Sequence, residues 1–283
     1  MADKKNKKKV TTTTVTTVTE TTVPTNEKTH IICILDRSGS MGNIINASIS
    51  GFNEFLGKQK ALPDKATITV ALFDDQYEIL YDNVDIKNAE LLNAEVWKPR
   101  GMTALYDAIG KTINTERAKL DKLGDEAPAK VLVCIVTDGL ENASEEYKGN
   151  EGRKLIVKLI RECETKDWNF LYLAANQDAF AVGSTFGISR GNTITYDATP
   201  QGVFHMSQTL NSSSTSYRGM STNSGDFQKK SKTLIADNEP EDKDVPKDNL
   251  TGTITTTGSG NGSFTTNNSN SSNTVFIDPK NKK

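Results

Sequence analysis

The chain has 283 residues, of which 34 are Lys or Arg and 36 are Asp or Glu, so its formal net charge is −2. This balance argues against nucleic acid as a partner, because domains that bind nucleic acid are usually basic. Apolar residues make up 35% of the chain, which predicts a packed core in one part and disordered ends elsewhere.

Residues 1–28 are rich in Lys and then in Thr. Thr and Val favour strands, but this segment lacks the large apolar residues that would hold a strand on a core. We predict a flexible arm, and an added edge strand is the alternative.

Residues 29–210 alternate between short apolar runs and segments of helical period, which is typical of an α/β domain. Six apolar runs predict strands, at 30–36, 66–73, 77–84, 130–137, 170–175 and 192–196. The third run follows the second after three residues, a gap too short for a crossover, so this strand is expected to be antiparallel. Thr199 and Pro200 are an N-cap and a first helical residue, and they open the last helix. We predict a doubly wound, Rossmann-like, mostly parallel six-stranded sheet with one antiparallel edge strand, flanked by helices.

Residues 211–283 are rich in Ser, Thr, Asn and Gly, which predicts a disordered low-complexity tail. Two apolar islands, 233–235 and 275–277, are candidates for docking on the domain or on a partner.

Three cysteines, Cys33, Cys134 and Cys163, are too few and too widely spaced for a disulfide framework. Cys33 and Cys134 sit inside apolar runs, so we interpret these two as buried thiols, which suggests a reducing compartment. The basic N-terminus is not followed by the apolar stretch of a secretory signal, and no run approaches the ~18 apolar residues of a membrane span. We therefore expect a cytoplasmic protein without a membrane span.

Hydroxyl and carboxylate side chains follow the predicted strands at the edge where open α/β sheets bind ligands. Asp36, Ser38 and Ser40 occupy alternate positions after the first strand, where Gly39 lets the backbone bend. Two more such residues are Thr103, in the loop before a predicted helix, and Asp138, after the fourth strand. All five offer oxygen ligands, so the expected ion is Mg²⁺, with Mn²⁺ or Ca²⁺ as substitutes.

Each segment alone also has a simpler interpretation, because Ser, Asp and Gly after strands are common in turns and helix caps. Ser40 is a candidate N-cap, and Asp138-Gly139 is a candidate turn.

Taken together, the three segments resemble the metal-ion-dependent adhesion site of von Willebrand factor A and integrin I-type domains. The matching residues are Asp36-x-Ser38-x-Ser40, Thr103 within Gly-x-Thr-Ala-Leu-Tyr-Asp-Ala, and Asp138-Gly139. The resemblance covers roughly residues 29–200 and implies that Ser38 and Ser40 ligate the metal directly. It implies that Thr103 ligates directly or through water, and that Asp36 and Asp138 act mainly through water or hydrogen bonds. Such an ion stays electrophilic and accepts a carboxylate from a partner.

Six further residues near these strand ends are candidates for a partner-binding rim: Arg37, Met41, Glu141, Asn142, Asn176 and Asp178. For the segment of Asn176 and Asp178, a helix cap is the alternative. We interpret Asp74 and Asp75 as hairpin residues, and Tyr106 and Asp107 as residues that serve the start and packing of a helix.

We expect a metal-dependent protein-binding module, not an enzyme, whose partner presents an Asp or Glu carboxylate. The alternatives are a structural or scaffold subunit of a bacterial or phage assembly, and a metal-dependent hydrolase. For the hydrolase, the sequence offers no convincing general base beside the site. His30 and His205 lack the paired spacing of a zinc site.

Overall fold

A computed structural model describes residues 27–238 of the chain. The strands are β1 (Thr29–Asp36), β2 (Ala66–Phe73), β3 (Tyr77–Asp85), β4 (Lys130–Thr137), β5 (Trp168–Ala175) and β6 (Thr193–Tyr196). They form one sheet in the order β3-β2-β1-β4-β5-β6, in which β3 pairs antiparallel with β2 and the other pairs are parallel. The predicted mostly parallel sheet with one antiparallel edge strand is confirmed.

Helices connect the strands and cover both faces of the sheet. They are α1 (Ile45–Lys60), α2 (Leu105–Leu123), α3 (Gly149–Glu164), α4 (Ala179–Thr185), α5 (Pro200–Gly219) and α6 (Phe227–Lys230). Short 3-10 turns lie at Gly39–Asn43, Ile86–Asn88, Gly124–Glu126 and Arg190–Asn192.

The core lies in two layers because successive side chains of a strand point to opposite faces. Ile31, Cys33 and Leu35 of β1 pack with α1 and α5, whereas Ile32 and Ile34 pack with α2, α3 and α4. All residues of β1 are buried, as expected for a central strand that is covered on both faces.

The three cysteines are free and buried, as predicted for Cys33 and Cys134. Within residues 27–238, the structure contains no helix with the length and apolar character that crossing a membrane requires.

The domain continues beyond residue 210. Helix α5 ends at Gly219, and the Tyr217 hydroxyl near its end donates to the carbonyl oxygens of Val131 and Asp167, each at 2.9 Å. Leu234 and Ile235 are buried in the core layer of α1 and α5, so the apolar island at 233–235 docks on the domain. The boundary predicted after residue 210 is therefore too early.

The predicted arm and tail lie largely outside the described residues, since 1–26 and 239–283 are not described. The apolar island at 275–277 lies in the second of these ranges. At the start of the described part, the Glu27 carboxylate accepts hydrogen bonds from Ser221 Oγ at 2.8 Å and from the Thr222 backbone.

Candidate metal centre

The candidate site lies where β1 and β4 end side by side in the middle of the sheet. From β1 the chain continues to β2 on one side of the sheet, and from β4 it continues to β5 on the other. Such a switch in direction opens a crevice at the carboxyl ends of the strands. Three loops meet there: the loop after β1, the loop before α2 and the loop after β4.

The predicted ligands come together from these three loops. Ser38 Oγ and Ser40 Oγ are 3.1 Å apart, and Ser40 Oγ donates to Asp138 Oδ1 at 2.6 Å. Thr103 lies at the same point, because a β-carbon placed on Gly139 would be 3.0 Å from Thr103 Oγ1 and 3.6 Å from Ser40 Oγ. The glycine after Asp138 thus leaves room for hydroxyls from two other loops.

Asp36 is buried at the end of β1 and has both carboxylate oxygens engaged. Oδ1 accepts a hydrogen bond from the Ser38 backbone N–H, and Oδ2 accepts one from Thr137 Oγ1, each at 2.6 Å. Burial raises the pKa of Asp36 to about 6, although these hydrogen bonds oppose the change, and the charge of Asp138 contributes to the rise. Asp36 therefore fixes the start of the loop that carries Ser38 and Ser40, which we call the serine loop, and adds negative charge beneath it.

The carboxylates of the site have no cationic partner in the part of the chain that the structure describes. Burial also raises the pKa of Asp138. Within residues 27–238, no basic side chain forms an ion pair with Asp36 or Asp138. Two neighbouring carboxylates and three hydroxyls form an oxygen-only set, which suits a hard divalent cation.

In the same described range, no group of three or more His, Cys, Asp or Glu side chains is arranged to hold a metal ion. Any ion at this site therefore depends on the hydroxyls of Ser38, Ser40 and Thr103 as much as on carboxylates.

Asp74 was predicted to serve only a hairpin, but it connects the loop after β1 to the loop before α2. Its fully buried carboxylate accepts hydrogen bonds from Arg37 Nε at 3.2 Å and from Arg100 Nε at 2.5 Å. The backbones of these loops also pair, through Arg100 N to Arg37 O at 2.8 Å and Gly39 N to Gly101 O at 3.2 Å. The signal for this role is the position of Asp74, directly after β2 at the same edge of the sheet.

The loop after β4 is anchored to the start of α2. Glu141 accepts hydrogen bonds from the backbone N–H groups of Tyr106 at 2.9 Å and Ser144 at 2.7 Å. Asn142 Oδ1 accepts one from the Thr103 N–H at 2.8 Å, and the Thr103 carbonyl accepts one from the Asn142 N–H at 3.0 Å. Thr103 and Asp138 are therefore held in fixed relation to each other.

Asp107 completes this anchor, since its carboxylate accepts a hydrogen bond from the Tyr147 N–H at 2.8 Å. Burial alone would raise the pKa of Asp107. Hydrogen bonds from three backbone N–H groups outweigh this effect, so the pKa is lowered from its ordinary value.

Two of the candidates for a partner-binding rim, Arg37 and Met41, are buried and so do not lie on an exposed rim. Arg37 is 4% exposed and pairs with Asp74 and with Glu78, whose Oε2 is 2.7 Å from Nη1. Met41 is buried because the 3-10 turn at Gly39–Asn43 directs its side chain into the core.

The other rim candidates stabilise loops, and some are also exposed. Glu141 is half-buried and engaged within its own loop, whereas Asn142, Asn176 and Asp178 are exposed. Asp178 accepts a hydrogen bond from the Ala181 N–H and caps α4, which was the alternative interpretation. Gln177, between the two candidates after β5, donates to the Gly139 carbonyl at 3.3 Å and so touches the loop of Asp138.

No protein-family model matches this chain, and no curated protein sequence matches it. A manganese-loaded TRAP protein from Plasmodium vivax has 16% sequence identity and a TM-score of 0.47, over 64% of this chain and 72% of that chain. The vWF domain of the pili tip protein Mfa5 from Porphyromonas gingivalis has 9% identity and a TM-score of 0.45, over 65% and 95%.

Proximal thread matrix protein 1 from the mussel byssus has 16% identity and a TM-score of 0.46 over 67% of this chain, and the match spans only 46% of the byssus protein. At sequence identities this low, the function of these proteins cannot be assigned to this chain.

Proposed function

We propose that this chain is a von Willebrand factor A-type binding module that holds a divalent cation at the ends of β1 and β4 and takes a carboxylate from a protein partner. One observation carries the proposal. Ser40 from one loop lies 2.6 Å from Asp138 of another and 3.1 Å from Ser38, above a buried Asp36, and within residues 27–238 no basic side chain forms an ion pair with either carboxylate. The sequence pattern of the adhesion site agrees with this geometry.

In this proposal, the hydroxyls of Ser38, Ser40 and Thr103 hold the ion, with Mg²⁺ preferred and Mn²⁺ or Ca²⁺ as substitutes. Asp36 and Asp138 supply negative charge and accept hydrogen bonds. A bound ion with few direct carboxylate ligands offers an electrophilic position to an acidic group. The partner therefore has to present an Asp or Glu side chain, or a terminal carboxylate.

We propose binding and not catalysis because Asp36 and Glu141 already accept hydrogen bonds through both carboxylate oxygens and, in this proposal, the charge of Asp138 serves the ion. Asp36 accepts two hydrogen bonds, Asp138 accepts one from Ser40, and Glu141 accepts several from its own loop. A general base needs a free oxygen within reach of the proton that it removes.

The test measures ion binding by isothermal titration calorimetry with Mg²⁺ and Mn²⁺. Ser40→Ala is compared with Ser50→Ala, an exposed serine on α1 that serves as a matched control. We expect wild type and Ser50→Ala to bind equally and Ser40→Ala to bind at least about tenfold more weakly, since one ligand is lost. Equal binding by all three proteins, or none by wild type, would contradict the proposal.

Partner binding is tested separately by affinity capture with Mg²⁺ or EDTA. A partner does not use the ion if wild type in EDTA and Ser40→Ala in Mg²⁺ both retain it as well as wild type in Mg²⁺ does.

A further inference from the structure

Two cavities lie side by side along α3 and α4. The first, of about 510 Å³, is lined by residues that include Leu105, Leu140, Glu141 and Val182. The second, of about 500 Å³, lies further along α3. Arg153 and Thr185 line both cavities. The two cavities therefore form one continuous depression, which we call the α3–α4 groove.

The groove starts beside the candidate metal centre. Leu140 follows Asp138 by two residues, and Leu105 follows Thr103 by two residues. The groove then follows α3 from Asn150 to Arg161. At 1.5 Å per residue this distance is about 16 Å, which is the reach of about five residues of extended chain.

The two ends of the groove differ in chemistry. Near the metal centre, Leu140 is 60% exposed and Val182 lines the wall, so this end is largely apolar. The far end is lined by four basic residues, Arg153, Lys154, Lys158 and Arg161, and by one acidic residue, Glu162.

The acidic residue of the far end is already paired. Glu162 accepts a hydrogen bond from Arg117 at 2.9 Å and lies 3.9 Å from Lys158 Nζ. Among the residues that the structure describes, neither Arg153 nor Arg161 forms an ion pair, and the side-chain contact of Arg153 is a long one, 3.5 Å to Asn150 Oδ1. The far end therefore carries two guanidinium groups without an acidic partner in residues 27–238.

We propose that the α3–α4 groove binds an extended acidic segment of the protein partner. In this arrangement, which rests on the proposed function, one carboxylate of the segment lies at the metal centre and its apolar residues lie against Leu140. Further carboxylates, four to six residues along the segment, pair with Arg153 and Arg161. Guanidinium groups suit this pairing because they bind carboxylates through two parallel hydrogen bonds.

A protein segment fits this groove better than a nucleic acid does. A nucleic acid backbone carries a charge at every nucleotide, whereas the near end of the groove offers the apolar Leu140 and the carboxylate of Glu141. The groove thus matches a pattern of acidic, apolar and again acidic residues.

The test is selection from a displayed library of random peptides against the full chain in Mg²⁺. Wild type is compared with Arg153→Glu/Arg161→Glu and with Lys65→Glu/Lys87→Glu, a control pair at exposed lysines outside the groove. We expect wild type and the control to select peptides with an Asp or Glu followed four to six positions later by further acidic residues. The groove variant should select basic residues at that offset.

The best selected peptide is then measured by fluorescence anisotropy against Arg153→Ala/Arg161→Ala. We expect affinity to fall about three- to tenfold, with the loss shrinking in high salt, because such pairs are partly screened. Unchanged affinity in this variant overturns the inference.

The outcomes separate the two proposals. Selected peptides that share a carboxylate but have no acidic preference at a fixed offset overturn the groove inference and leave the metal-dependent function intact. The same is true if the charge-reversal variant selects the same peptides as wild type. The proposed function itself is wrong if wild type selects no peptides in Mg²⁺ or selects them equally well in EDTA. It is also wrong if Ser40→Ala selects peptides as well as wild type does.

Discussion

The Thr137 hydroxyl donates a hydrogen bond of 2.6 Å to Asp36 Oδ2, and this contact joins the ends of β4 and β1 directly beneath the candidate metal centre. Both residues are fully buried. Because Asp36 Oδ1 accepts a hydrogen bond from the Ser38 N–H, one carboxylate connects the two central strands to the serine loop.

Replacing Thr137 by Val should therefore destabilise the protein. The change leaves a buried carboxylate oxygen without its donor, which costs about 1–3 kcal/mol. Urea unfolding in EDTA measures this cost, and calorimetry should show weaker Mg²⁺ binding. The matched control is Thr29→Val, on the same sheet, because the buried Thr29 hydroxyl has no hydrogen-bond partner within residues 27–238. Thr29→Val should be neutral or slightly stabilising, and equal losses in both variants would count against this role of Thr137.

Replacing Asp74 by Ala should disturb two loops at once. Arg37 is buried and would lose one of its two acidic partners, and Arg100 would lose the carboxylate that lies 2.5 Å from its Nε. Breaking a buried pair from one side costs about 3 kcal/mol or more, and we also expect weaker Mg²⁺ binding. Asp75→Ala is the control, since this neighbour is exposed and should change stability by less than about 0.5 kcal/mol. Denaturant midpoints that match for the two variants would show that Asp74 has only a turn role.

Glu116 provides a pH-dependent contribution to stability. Its carboxylate accepts hydrogen bonds from the buried ring of His30, at 3.0 Å, and from Lys119 Nζ, at 2.9 Å. Burial raises the pKa of Glu116, but these two hydrogen bonds and the charges of His30 and Lys119 outweigh it, and the pKa is lowered from 4.5. The hydroxyl of Tyr77 also lies near Glu116, and Asp82 pairs with Lys119.

Because the folded pKa lies below the unfolded pKa, this stabilisation is complete above about pH 4.5 and is lost as the pH falls through the folded pKa. Glu116→Gln should thus be less stable than wild type at pH 7, and the difference should shrink below pH 4.5. Denaturation curves between pH 7 and pH 3 measure it. For Glu90→Gln, at an exposed position, the difference should stay near zero. A Glu116→Gln difference that is constant with pH would show that charge is not involved.

Leu234 tests whether the segment after α5 belongs to the domain. Its side chain is fully buried, so Leu234→Ala should cost about 2–5 kcal/mol. The same substitution at Leu155, which is 51% exposed on α3, should cost less than about 0.5 kcal/mol. Thermal or urea unfolding of the two variants gives the comparison. Similar stabilities would mean that residues 231–238 contribute little to the core.

The sheet was predictable because its strands are short, apolar and separated by turns or amphipathic segments. The three-residue gap before β3 indicated an antiparallel strand for a geometric reason alone. The convergence of Ser38, Ser40 and Asp138 was predictable for a similar reason, since alternate residues after a strand converge and the carboxyl ends of parallel strands share one edge.

The orientations of Arg37 and Met41 were not predictable from local spacing. The partners of Arg37 are Asp74 and Glu78, 37 and 41 residues away in the chain, and pairing over such distances is not visible in a local pattern. The end of α5 was missed because composition favoured disorder. Ser213 and Ser214 are small polar residues that are buried in the structure, and Ser213 Oγ donates to the Leu234 carbonyl at 3.0 Å.

The loops of the candidate metal centre are joined by backbone hydrogen bonds, from Arg100 to Arg37, from Gly39 to Gly101 and from Asn142 to Thr103. Backbone bonds do not depend on the identity of the side chains beside them. Exchange of Ser38 or Ser40 for another oxygen ligand should therefore keep the path of the loops. Under the proposed function, the choice of ion therefore depends on a few side chains, which can be redesigned, or can diverge, without rebuilding the fold.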